Sequence, residues 1–179
     1  MFRIDPKRSV ASYSVDEVFL SDNRFNTAVG RTSAVAGDLI VNASNPASSQ
    51  VGEIVVDISQ LTSDESARDN AIRRNWLESR KYPLARFKPT ELRNLPAQVV
   101  EGRPFTFQMV GDLTVHETTK QVVWDVTATL RGDELEVMAT TGFKMSQFNV
   151  KPPNIAGFVR AEDDLELTLD LTASAVEAP

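Results

Sequence analysis

Apolar and polar residues alternate with a period of two through most of this chain, the spacing of β-strands with one dry and one wet face. The clearest run is Pro104 to His116. Phe105, Phe107, Met109, Gly111, Leu113 and Val115 share one face, and Thr106, Gln108, Asp112, Thr114 and His116 the other. Val122, Trp124, Val126, Ala128 and Leu130 repeat the pattern, then Leu135, Val137, Ala139, Thr141 and Phe143, and last Leu165, Leu167, Leu169 and Leu171. Val10 to Phe19, Gly30 to Val41, Val51 to Ile58 and Ala85 to Leu92 are further candidates, giving about eight strands. Turn signals fall at Asn45-Pro46, Glu101-Gly102 and Arg131-Gly132-Asp133, and Gly132-Asp133 suits a tight hairpin because both residues tolerate positive φ.

One interval breaks this rhythm. Thr62-Ser63-Asp64-Glu65 reads as a capping box, with Glu65 three residues after Thr62, and predicts a helix reaching Leu77. Ile72 and Trp76 sit four apart on one face of it, while Arg68, Arg73 and Arg74 point outward or to an edge. Tyr82-Pro83 ends the helix, and Asn149 to Gly157, with Pro152-Pro153, reads as a loop. No linker and no fixed repeat divides the chain, so residues 1–179 read as one all-β domain with one short helix. Eight antiparallel strands close most simply into a barrel with room for side chains or one ligand. A two-sheet sandwich fits the alternation equally well.

Charge and composition remove several function classes. A net charge of −6 argues against non-specific binding to nucleic acid or to anionic membranes. With no cysteine there is no disulfide, thiolate nucleophile or Cys-based metal site, and His116, the only histidine, excludes paired-imidazole sites. Parity puts His116 on the wet face at a strand end, which favours a surface or turn role over a mouth-lining or proton-transfer one. No Gly-x-Ser-x-Gly elbow, Walker loop or Gly-x-Gly-x-x-Gly motif is present. Glu162-Asp163-Asp164, and Asp64-Glu65 with Asp69, could serve acid/base chemistry or calcium, but a strand start and a helix N-terminus account for them better. Arg68-Asp69 reads equally as an ion pair locking the helix across a barrel opening or as a solvated pair. The reading is therefore no enzyme, no metal and no cofactor. No apolar run approaches the roughly 20 residues of a membrane span. Met1-Phe2-Arg3-Ile4-Asp5-Pro6 is not leader-like, which points to a cytoplasmic protein or to a leader already removed.

Several segments carry a family pattern in order. They are Phe2-Arg3-Ile4-Asp5-Pro6 with Ser9, Gly37-Asp38-Leu39, Val56-Asp57 followed by Leu61-Thr62-Ser63-Asp64 and Arg68-Asp69, Lys81-Tyr82-Pro83 with Phe87, and Gly111-Asp112-Leu113-Thr114-Val115-His116 followed by Thr119-Lys120. Across nearly the whole chain they resemble the YceI family of lipocalin-like bacterial proteins. Three positions depart from it. Ala71 stands where a helix histidine is common, Glu117 replaces the glycine after the strand histidine, and Phe148-Asn149 replaces Phe-Gly. Asn tolerates a left-handed backbone, so the last change is compatible with the turn.

The resemblance implies an eight-stranded antiparallel lipocalin-like barrel whose lumen takes a polyisoprenoid, such as a prenylated quinone or prenyl diphosphate. It also implies a periplasmic location and a homodimer. Periodicity alone makes the dry faces ordinary core more readily than ligand contacts, but small residues at Gly111, Ala128 and Ala139 leave room. The expected lining is Phe105, Phe107, Met109, Trp124, Val126, Val137, Leu165, Leu167 and Leu169, with Ile72 and Trp76 from the helix. The helix from Ile72 to Leu77 and the loop from Pro152 to Phe158 are expected to cover the openings. Burying about twenty methylenes at roughly 0.8 kcal/mol each supplies about 16 kcal/mol, against association costs of roughly 4–15 kcal/mol, so a long chain needs little polar anchoring. The alternatives are a filled barrel acting as an interaction module, and a fatty-acyl binder.

Overall fold

The computed structural model describes residues 1–155 and 159–177. Its strands, all in one antiparallel sheet, are β1 (Phe2–Ile4), β2 (Val10–Phe19), β3 (Arg24–Thr32), β4 (Val35–Ala36), β5 (Asp38–Ile40), β6 (Gln50–Val51), β7 (Ile54–Asp57), β8 (Leu84–Arg93), β9 (Phe105–Val115), β10 (Thr118–Arg131), β11 (Glu134–Lys144), β12 (Asn154–Ile155) and β13 (Val159–Ala175). The strands number more than the eight expected because several long candidates are broken, yet the wall keeps eight courses. Following hydrogen bonds, β13 pairs with β2 and β2 with β3. The chain then crosses Ser33-Ala34 into β4, which pairs with β7 and leads through β8, β9, β10 and β11 back to β13. Alternation places one face of every course on a common apolar core.

The curl is incomplete on one side. Among the described residues, only the single Arg31–Thr62 bridge joins β3 to the next part of the chain. The helical segment reaches back to this place. It is an α-helix, α1 (Ser66–Ala71), continued by a π-helical turn over Ile72–Trp76. The expected capping box does not form. Glu65 is the N-cap and accepts from Ala67 N–H, while Thr62 bonds to the Arg31 backbone instead. Ser63 N–H and Oγ both donate to Asp69, from 2.6 to 3.0 Å.

Three strand expectations change for identifiable reasons. Gly30 to Val41 is not one strand. β3 begins at Arg24, the course bends at Ser33-Ala34, and it stops at Gly37, where a Cβ would lie 3.1 Å from Ile4 Cδ1 and 3.2 Å from Glu53 O. Val51 to Ile58 divides at Gly52-Glu53. Glu162-Asp163-Asp164 is not a strand start but a bulge within β13, where the register slips between Ala161 and Leu165. Asp163 there accepts from Ser146 N–H and Oγ, and Lys144 Nζ donates to Asp164. The hairpin at Gly132-Asp133 forms as expected, with Gly132 at φ 56°. The expected loop at 149–157 holds the short β12; its residues 156–157, and Phe158 of the expected cover, lie outside the described residues.

Candidate functional site: a lumen in two chambers

Because the dry faces converge, the sheet encloses two apolar spaces. The larger, about 170 Å³, lies beneath the helical segment. Alternate residues of β2 reach it with Ala11, Tyr13 and Val15, β13 with Leu165, Leu167 and Leu169, and β10 with Trp124. Ile72, Trp76 and Leu77 close it on one side, and Met145, Phe148, Val150 and Pro153 on another. The smaller, about 50 Å³, lies further along the lumen among Leu92, Phe105, Phe107, Met109, Val126 and Val137. Ile54 and Leu169 border both.

The eleven residues expected to line one cavity therefore divide. Trp124, Leu165, Leu167, Ile72 and Trp76 border the larger chamber; Phe105, Phe107, Met109, Val126 and Val137 border the smaller; Leu169 borders both. Phe87, Tyr13, Phe143, Met145 and Phe148 also border the larger chamber and were not among those eleven. Phe143 was legible, since it sits on the dry face of its strand. Met145 and Phe148 were not, because they project from a single 3-10 turn with no periodicity to read.

Gly111 does not open space for a ligand. A Cβ there would come within 2.4 Å of Lys88 O and 2.7 Å of the Phe87 ring, so its missing side chain admits Phe87. Trp124 is almost fully buried, and its Nε1 has no hydrogen-bond partner among the described residues. Gln108, on the wet face, donates to Asp125 at 2.9 Å.

A polar network ties the helical segment to the wall above the larger chamber. Arg68 does not point outward. Its guanidinium donates to Glu17 Oε1 at 2.9 Å and to Asp64 Oδ1 at 2.7 Å. Glu17 is buried and also accepts from Asn26 Nδ2 at 2.8 Å. The Arg68 partner across the opening is thus Glu17 on β2, with Asp69 held by Ser63 instead. Arg68 holds the Asp64 carboxyl below the usual carboxylate range, by hydrogen bond first and charge second. Tyr13 stands under this network, and burial, with the nearby Asp69 and Glu17 charges, pushes its hydroxyl up to about 12. At the β9–β10 turn His116 adopts φ 55°, stacks on Tyr82 with ring centroids 5.3 Å apart, and leaves Nε2 buried without a hydrogen-bond partner among the described residues. That placement fits a turn role, with the ring half-buried rather than free on the surface.

No group of three metal-ligating side chains occurs among the described residues, and no helix there is long and apolar enough to cross a membrane.

A curled antiparallel sheet around an apolar lumen, capped by one helical segment, defines a lipocalin-like fold. The YceI-like domain model matches residues 2–173, and the chain belongs to the YceI family. No curated protein sequence matches it. Among solved structures it is similar to BcnA of Burkholderia cenocepacia, with a TM-score of 0.74 at 17% identity, covering 96% of this chain and 99% of that one. A polyisoprenoid binding domain from Saccharophagus degradans, implicated in plant cell wall breakdown, gives a TM-score of 0.73 at 13% identity, over 98% of each chain. The YceI protein of Campylobacter jejuni gives 0.62 at 17% identity, over 80% and 82%.

Proposed function

We propose that this protein binds and carries a long apolar lipid of the polyisoprenoid class, outside the cytoplasm, by burial in the two-chambered lumen rather than by catalysis. The observation that carries the reading is the larger chamber, walled by apolar side chains from the sheet, the helical segment and the 145–153 segment together. Family membership and the polyisoprenoid binding domain of similar fold support the ligand class.

Size sets a condition. An apolar cavity of about 150 Å³ takes a molecule the size of benzene. The larger chamber, at about 170 Å³, therefore seats only the end of a prenyl chain. A long chain requires the two chambers to join, through movement of the side chains between them. Native mass spectrometry of protein purified without detergent, with organic extraction of bound lipid, tests the reading. A bound isoprenoid is expected; if no lipid appears and added prenyl analogues fail to bind, the carrier reading falls. The small volumes favour one rival, a filled barrel acting through its surface, and the same measurement decides between them.

A further inference from the structure

Inner-face residues of β2 mark height along the wall. Ala11, Tyr13 and Val15 border the larger chamber, and Glu17 meets Arg68 at the level of the helical cap. β2 continues to Phe19, and the hairpin turns through Leu20–Asn23, with Asn23 at φ 52°. At about 3.3 Å per residue, three residues carry the tip roughly 10 Å beyond the cap. β3 returns with Phe25 opposite Val18, and β13 runs alongside with Arg160 opposite Val18 and Val159 opposite Phe19.

The outer face of this projection is apolar where an isolated hairpin tip is ordinarily polar. Phe25 is 81% exposed and Leu20 40%. Phe25, Val18 and Arg160 form one row across β3, β2 and β13, and Leu20 follows in the turn. Arg24 lies over the Phe19 ring, 4.6 Å from its centroid, and also faces Asp22 at 3.5 Å. Asp16, a row below, is engaged by Thr27, and Glu162 lies in the β13 bulge. Arg160 forms no ion pair among the described residues.

A net charge of −6 opposes non-specific adsorption, so any membrane contact must be local. We propose that the β2–β3 hairpin tip alone docks on an anionic phospholipid bilayer, inserting Phe25 and Leu20 at the interface with Arg24 and Arg160 at the phosphates. Three apolar side chains fall far short of the roughly 800 Å² per partner that a stable protein interface buries. A bilayer interface, in contrast, accepts a single aromatic side chain, with arginines reaching the headgroups. The surface lies at the end of the barrel where the helical cap meets the wall, so docking would place that end against the membrane. This last step rests on the lumen being the lipid site.

Flotation with phosphatidylcholine–phosphatidylglycerol vesicles, against phosphatidylcholine alone, tests the docking. The intact protein is expected to float with the anionic vesicles, less so at high salt. Phe25→Glu should weaken binding at least about tenfold, Phe25→Trp should retain it, and Met138→Glu, an exposed site on the wet face of β11, should leave it unchanged. Absence of flotation, or equal flotation by Phe25→Glu, overturns the proposal. Lumen occupancy read by mass spectrometry in the same samples keeps the two ideas apart. Bound lipid without flotation sinks the docking alone, and Phe25-dependent flotation with an empty lumen upholds the docking while removing the carrier reading.

Discussion

Trp124 meets Phe87 edge to face, with ring centroids 5.8 Å apart and planes at 64°. Both rings border the larger space, and Met109, the strand partner of Trp124, borders the smaller. Two partners on one strand pair thus face different spaces, while Ile54 and Leu169 border both.

Met109→Ala should widen the smaller chamber towards the larger. The substitution leaves a cavity in the core and is expected to cost about 2–5 kcal/mol in chemical denaturation. Under the carrier reading, the variant should accept longer prenyl chains, read by native mass spectrometry across a series of chain lengths. Stability loss with no change in preferred length would place the length limit elsewhere.

Gly111→Ala tests how the wall accommodates Phe87. The new methyl meets the Lys88 carbonyl and the Phe87 ring, both well inside contact distance. Overpacking of this kind costs roughly 1–3 kcal/mol. Near-ultraviolet circular dichroism should register the displaced ring, and an unperturbed melt and spectrum would contradict the geometry.

The network at the cap makes a prediction of its own. Arg68→Ala strands the buried Glu17 with Asn26 as its remaining hydrogen-bonded partner. Removing one member of a buried pair costs about 3 kcal/mol or more, whereas replacing both by apolar groups is often close to neutral. Arg68→Ala should therefore destabilise more than Arg68→Met combined with Glu17→Leu. Hydrogen exchange should show the loss first in residues 63–79. Equal stability of the two variants would mean that Arg68 and Glu17 are uncoupled.

Tyr13 supplies a pH dependence with a definite sign. Its hydroxyl is raised from 10.0 to about 12, chiefly by burial. A group with a raised folded-state value stabilises the protein fully below the unfolded value and loses that contribution as pH rises through the folded one. Stability should fall between about pH 10 and 12 by roughly 2–3 kcal/mol from this group. Tyr13→Phe should flatten that part of the curve, measured by urea denaturation across the alkaline range.

How far the sequence can be read depends on periodicity. Phe105 to Val115 and Val122 to Leu130 sit at the expected parity because a one-residue slip would turn every dry side chain to water. Position along the strand leaves no such mark. Met109 and Leu165 look alike in sequence, yet they serve different chambers, a distinction set by strand tilt and stagger. Arg68 was misjudged because helical spacing gives the direction of a side chain but not the presence of Glu17, 51 residues earlier, to receive it. The hairpin tip carrying Phe25 was missed because β3 begins where alternation is poor, with Arg24, Asn26 and Thr27 around the phenylalanine.

The long strand β13 receives β1 and β2 on one edge and β11 on the other. Phe2 pairs with Ala175 and Val10 with Asp170, so the first strands of this domain wait for its last one. Local hairpins such as β9–β10 can form during synthesis, but no intermediate chain length can close the wall. Until β13 is made, the nascent domain is an open ribbon with one apolar face exposed to water.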